Sequence, residues 1–274
     1  HHFAKHAIES ALWDIHAKRQ GESLASVLGG VTDVVEVGAV VGMHDTVDAV
    51  VAEVMQRVSE GYARIKIKIA PGHDSDVLAA VRDAVGIEYA LQADANGAYS
   101  ASDIDLLCSF DSFALQFIEQ PFAAHDLDSH AQLSQRSATS VCLDESVMTT
   151  SQLLTALDLG ACDVVNIKPS RVGGIREAIS MHDLLVERGV DAWVGGMLET
   201  GIGRASCLAL ASMPGFTLTP DLSASARYFQ RDVTAPFVLD DGCLHVPQGK
   251  GIGVEPLEEV LAEKNVVIET VFEH

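Results

Sequence analysis

Apolar and polar residues alternate with period two in short runs, and after each run comes a stretch with the 3.6-residue period of an amphipathic helix. "VEVGAVVG" precedes a helical pattern over 46–60, and "RIKIKI" precedes one over 74–85. "YALQADAN" leads to a helix starting near Ser102, "FALQFIEQP" to one around 127–135, and "SVCLDES" to one over 151–159. "DVVNIKPS" leads to 174–188 and "DAWVGGMLE" to 203–212, and "FTLTPDL" closes the series. The pattern predicts eight strands separated by seven helices, each unit taking roughly 25 residues as βαβ crossovers do. Ahead of them, Ala4, Ala7, Ile8, Ala11, Leu12 and Ile15 form an apolar helical stripe that ends before Gly29 and Gly30,.

Such a chain either closes a barrel or lies in a doubly wound open sheet. No strand is followed by GxGxxG, which weakens the dinucleotide-binding open sheet,. Polar residues sit at the C-terminal ends of many strands, where a barrel gathers its site, whereas an open sheet uses one switch point. The expected fold is therefore a TIM-like (β/α)7β barrel. In that fold Ile65, Ile67 and Ile69 face the helices, and Lys66 and Lys68 point into the barrel mouth,. The competing reading of these lysines is a solvated edge strand. It loses because anions stand ready at the ends of the following strands.

The chain has 274 residues and a formal charge of −21, which argues against nucleic acid as a partner,. Five cysteines occur without a CxxC pair, as expected of reduced cytoplasmic thiols,. No apolar run is long enough to span a bilayer,. A site that handles anions must therefore concentrate positive charge locally, through lysines or a metal.

Asp94 lies in "QADAN", Glu119 in "FIEQP" and Asp144 in "CLDES". Successive members are 25 residues apart, and Lys168 in "NIKPS" follows Asp144 by 24. A near-constant interval puts each at the same level of successive βα units. A single strand-end Asp is commonly a helix N-cap, but capping does not account for three acids at equal spacing. Carboxylates converging from adjacent strands repel one another unless a cation lies between them. Oxygen ligation favours Mg²⁺ first and Mn²⁺ second. With Lys68 and Lys168 on opposite sides, the chemistry that fits is metal-assisted removal of a proton α to a carboxylate.

The set "KIK", "DAN", "EQP", "LDES", "NIKPSRVGG" and "GGMLETGIGRA" resembles the enolase superfamily, in its muconate-lactonising subgroup. It is most similar to the o-succinylbenzoate synthase / N-succinylamino acid racemase family, from "AIESALWDIHAK" to "GIGVEP". The resemblance implies Asp94, Glu119 and Asp144 as Mg²⁺ ligands, Lys68 and Lys168 as acid/base residues, and Lys66 as a residue that tunes Lys68 or meets the substrate carboxylate. It implies a small carboxylate substrate and a self-associating chain. Candidates around the site are Asn96 (substrate or helix cap), Glu145 (support or ion pair) and Glu199 (orienting Lys168 or binding substrate). Gly173 and Gly174 could lend backbone N–H groups to an anion.

Residues 1–30 read as the last helix of a capping domain otherwise largely absent from the chain, 31–230 as the barrel, and 231–274 as a segment packing back on cap or barrel. The alternatives are another muconate-lactonising-type cycloisomerase, a dipeptide epimerase, or a cap-less metal-binding or interaction protein. The epimerase is disfavoured because Asp221 has no DxD partner.

Overall fold

The computed structural model describes residues 1–263. Seven parallel strands lie in chain order: β2 (Gly38–Val41), β3 (Arg64–Lys68), β4 (Ala90–Asp94), β5 (Phe117–Glu119), β6 (Ser140–Leu143), β7 (Val164–Ile167) and β8 (Asp191–Val194). Helices α3 (Val47–Ser59), α4 (Ser75–Val85), α5 (Ile104–Ser109), α6 (Leu127–Arg136), α7 (Thr150–Asp158) and α9 (Ile175–Arg188) connect them, and α10 (Gly201–Ala211) follows β8. The predicted helices agree with these to within a few residues at each end. Side-chain caps start several of them: Thr46, Asp126 and Thr149 each accept from a backbone N–H three residues on,.

The expected eighth strand is not a ladder. Residues 216–221 run extended and close the curled sheet with one bond on each side, Thr217 N to Ala192 O (3.1 Å) and Gly38 N to Pro220 O (2.9 Å). Pro220 has no N–H, so it cannot donate to a continuing ladder. A second correction concerns "VEVGAVVG". It splits into β1 (Val34–Glu36), which turns away to pair antiparallel with β9 (Cys243–His245), and β2 inside the barrel. The change falls at Gly38, where an added Cβ would press on the Arg64 guanidinium at 3.1 Å.

Strand alternation sorts the core into two layers. Ile65, Ile67, Leu91, Ile118, Leu143, Val165 and Ile167 face the helices and join the main apolar core. Phe117, Cys142, Val164 and Trp193 form a separate cluster. Phe117, Cys142 and Val164 each stand two residues before a polar residue of the upper layer (Glu119, Asp144 and Asn166), so with Trp193 they plug the barrel interior beneath it,.

Helix α1 (His2–Gln20) ends at Gly21 in the left-handed conformation, and the five-residue α2 (Leu24–Leu28) starts on Ser23. The predicted apolar stripe of α1 does not face the barrel: Ile8, Leu12 and Ile15 are exposed. The inner face carries polar anchors. Glu9 accepts from Arg176 N at 2.8 Å, and Asp14 accepts from Ile252 N at 2.8 Å. With Ala17 buried and Trp13 packed against the core, these hydrogen bonds to one helix end and one loop fix its rotation. Downstream, Gly251 bonds Glu22 and Leu24, and Leu257 bonds Val233 ahead of α11 (Glu258–Glu263). The rest of the expected C-terminal segment, 264–274, lies outside the described residues. Among the described residues no helix is long and apolar enough to cross a membrane.

Phe117 is 1 % exposed and Ile87 59 % exposed. Phe117→Ala should lower unfolding free energy by about 3–5 kcal/mol through a cavity under the site. Ile87→Ala should stay within about 0.5 kcal/mol of the parent. Urea titration of both variants checks the pair.

Candidate active site

The C-terminal ends of the strands surround a cavity of about 450 Å³. Lys66, Lys68, Lys168, Arg171, Asp221 and Tyr228 are among the residues that line it. Lys66 and Lys68 come from β3, and the register pairs Lys68 with Asp94 and Asp94 with Glu119 across adjacent strands. Lys168 follows β7 and starts the one-turn helix α8 (Pro169–Val172), which the sequence pattern did not reveal. Counting the extended 216–221 segment as the eighth wall, β3 and β7 stand four places apart in either direction. The two amines therefore rise from opposite walls.

Ion pairs knit the upper layer together. Lys68 Nζ donates to Asp94 Oδ2 at 2.6 Å and to Asn96 Oδ1 at 2.5 Å. Lys168 Nζ donates to Asp144 Oδ2 at 2.6 Å, and Asp144 Oδ1 faces the Arg171 guanidinium as an ion pair without a well-formed hydrogen bond. Glu119 accepts from Lys66 (2.9 Å), Gln92 (2.5 Å) and Asn166 (2.6 Å). Lys66 also pairs with Asp94 and Asp221, and Arg64 reaches Asp221 at 2.5 Å. Gly195 leaves room for this: a Cβ there would collide with Asn166 Oδ1 and stand 2.6 Å from Lys168 Cε.

The charges perturb one another. Burial works to raise the Asp94 pKa, but Lys66 and Lys68 outweigh it and hold the group down at about 2. Glu119 is pushed up to about 7, by burial first and then by the neighbouring Asp94 and Asp144,. Burial disfavours the Lys66 ammonium, yet Asp221, Glu119 and Asp94 prevail and raise its pKa well above the ordinary lysine value. Lys66 is thus held as an ammonium among three carboxylates.

Among the described residues, no three acidic, histidine or cysteine groups gather closely enough to grip one ion as they stand. Each of the three expected ligands is turned onto an ammonium group instead. The donor set still fits a hard divalent cation. It is all oxygen and buried, Asp144 Oδ1 lacks a hydrogen bond, and Glu119 carries repulsion from both neighbours that a cation would relieve,.

The remaining candidates separate. Asn96 holds Lys68, and its amide donates to Glu145 Oε1 at 3.0 Å, so both sit at the rim of the cluster. Asn96 adopts φ 44°, and its side chain engages Lys68 and Glu145 rather than a helix N–H. Glu199 lies elsewhere: it accepts from Met197 N at 2.7 Å and lines a different cavity with His6 and Ser170. Gly173 and Gly174 do not offer donors to an anion. Both N–H groups bond Pro169 O, and the Glu9 carboxylate covers the start of α9. Sequence reasoning passed over Gln92 and Asn166, although each stands two residues before a site residue on the same strand face,. It also passed over Arg171, for which strand periodicity carries no signal.

Residues 49–260 match the family described as Enolase C-terminal domain-like, and residues 1–29 match the mandelate racemase / muconate lactonizing enzyme N-terminal domain. An N-succinylamino acid racemase from Amycolatopsis sp is 46% identical over 263 residues, covering 96% of this chain and 72% of that protein. An o-succinylbenzoate synthase from Bacillus subtilis (strain 168) is 44% identical over 259 residues, covering 94% and 69%. A crystal structure of an enolase superfamily member from Listeria innocua Clip11262 superposes with a TM-score of 0.91 at 39% identity, covering 95% and 70%. A muconate cycloisomerase from Pseudomonas fluorescens gives 0.89 at 26% identity, covering 96% and 74%. The chain belongs to the enolase superfamily, in its muconate lactonizing group, and within that to the family of o-succinylbenzoate synthases and N-succinylamino acid racemases.

Proposed function

We propose that this barrel removes a proton α to the carboxylate of a small acid, as an o-succinylbenzoate synthase and, with the same residues, an N-succinylamino acid racemase. The observation that carries the reading is the pair of amines, Lys68 and Lys168, rising from opposite walls of one cavity with buried carboxylates between them. The names of the relatives select these two reactions from the others that such a site could perform.

Asp94, Glu119 and Asp144 would hold Mg²⁺, or Mn²⁺ in its place. When bound, the ion supplies charge stabilisation to the substrate carboxylate as negative charge builds on it. The protein's own groups do the rest. Lys68, 29 % exposed, takes the α-proton in its neutral form,. In the synthase reaction the C–H and C–O bonds break, a C=C bond forms, and the proton held on Lys68 leaves with hydroxide as water. Lys168, 7 % exposed, holds its charge against the enediolate. In racemisation each lysine serves one face, and the proton lost to one side is replaced from the other. Asp221 is closed on Arg64 and Lys66, so it offers no free carboxylate to the ammonium of a dipeptide. That counts against the epimerase reading.

Solvent-deuterium exchange on the two enantiomers of an N-succinylamino acid separates the roles. Lys168→Ala should abolish exchange from one enantiomer and Lys68→Ala from the other, each with turnover falling by about 10²–10⁴. Unchanged exchange of both enantiomers by Lys168→Ala would remove that residue from the mechanism.

Chelation should stop o-succinylbenzoate formation, and added Mg²⁺ should restore it. Asp94→Asn should weaken Mg²⁺ binding, measured by calorimetry on the intact protein. No Mg²⁺ uptake by the parent would end the metal-assisted reading.

A further inference from the structure

Lys66 is shared by three carboxylates. Its Nζ stands 3.2 Å from Asp94 Oδ2 and 2.9 Å from Glu119 Oε2, and it closes more tightly still on Asp221 Oδ2. The first two partners are the residues assigned to the metal. The third has no such claim on it. Asp221 comes from the extended 216–221 segment and also takes Arg64 at 2.5 Å. Both cations lie over the face of Trp193, with Arg64 at 4.8 Å and Lys66 at 5.0 Å from the ring centre, so a fully buried aromatic ring forms the floor beneath them,.

An ammonium resting on Asp94 and Glu119 competes with any dication for the same oxygen lone pairs. Loading the ion requires Lys66 to give up those two partners. A buried ammonium that loses its counter-ions is strongly disfavoured unless another carboxylate stays with it. Asp221 is that carboxylate. It is anchored from behind by Arg64, whose Nε and Nη1 have no hydrogen-bond partner, so the pairing with Asp221 is the one hydrogen-bonded ion pair Arg64 makes among the described residues.

We propose that Asp221 is a positioning residue for metal loading: by giving Lys66 a counter-ion that no metal claims, it lets Asp94 and Glu119 pass to a divalent cation. The proposal rests on the reading of Asp94 and Glu119 as ligands. A purely structural role for Asp221, pinning the 216–221 segment through Arg64, would lower stability without making metal affinity depend on Lys66.

The test is Mg²⁺ calorimetry on the intact protein without substrate, repeated with Mn²⁺. Asp221→Asn should raise the metal Kd by about ten-fold or more, because Lys66 then stays on the ligands. The double variant Asp221→Asn/Lys66→Gln should return to within about three-fold of the parent, since the competitor is gone. Parent-like binding by Asp221→Asn overturns the proposal, and so does a double variant as weak as the single one. Should Asp221→Asn fail to fold by near-ultraviolet circular dichroism, Lys66→Gln alone decides. It should bind Mg²⁺ at least as tightly as the parent, and weaker binding refutes the competition. If the parent protein takes up no Mg²⁺, the ligand assignment fails first and the proposal falls with it.

Discussion

A lysine ammonium sits almost fully buried inside the barrel, and the arrangement of the mouth follows from the need to compensate it. Taking such a group out of water costs several kcal/mol even after relaxation. Asp94, Glu119 and Asp221 offset that cost from three different walls. Each of those carboxylates is in turn fixed by a second donor: Lys68 on Asp94, Gln92 and Asn166 on Glu119, Arg64 on Asp221. Below them Trp193, Phe117, Cys142 and Val164 fill the interior and keep water out from beneath. Polar groups that meet no solvent interact more strongly with one another, so the pairings within the layer are tightly specified.

The same constraint leads to the chemistry. Parallel strands of similar length bring inward-facing residues to one level, so acids spaced evenly in sequence end as neighbours in space. Like charges gathered that way raise the pKa of the innermost member, Glu119, and call for cations. Lys66 answers part of that demand within the protein. Lys68 and Lys168 take up Asp94 and Asp144 from opposite sides. On the proposed function, these two amines would stand on either face of a bound carboxylic acid, as abstraction and return of a proton require. Arg171, paired with Asp144 beside Lys168, adds a permanent charge on that side,.

Several elements were legible because they depend on local pattern. Period-two alternation in "RIKIKI" placed Ile65 and Ile67 against the helices and Lys66 inside, as found. Helices with a side-chain cap and an apolar face came out within a few residues. The failures share a cause. The division of "VEVGAVVG" depends on β9, more than two hundred residues away in sequence. The loss of ladder pairing in "FTLTPDL" combines the missing N–H of Pro220 with the single bond that each neighbouring wall makes to the segment,. The rotation of α1 depends on the backbone N–H of Arg176 and of Ile252, which no periodicity within α1 can register.

From the sequence alone came the αβ alternation, the inward row of Lys66, Lys68, Asp94, Glu119, Asp144 and Lys168, and the reaction class these residues suit. Residue type and spacing carry that information, because strand geometry converts it directly into a shared level and a shared face. The tertiary structure decided who pairs with whom: Asp221 with Arg64 and Lys66, Asn96 with Lys68, Arg171 with Asp144, and Glu9 with the start of α9. It also set Glu199 apart from the cluster. The physical reason is that a charge chooses its partner by distance in a closed barrel, and that distance is created only when walls remote in sequence come together.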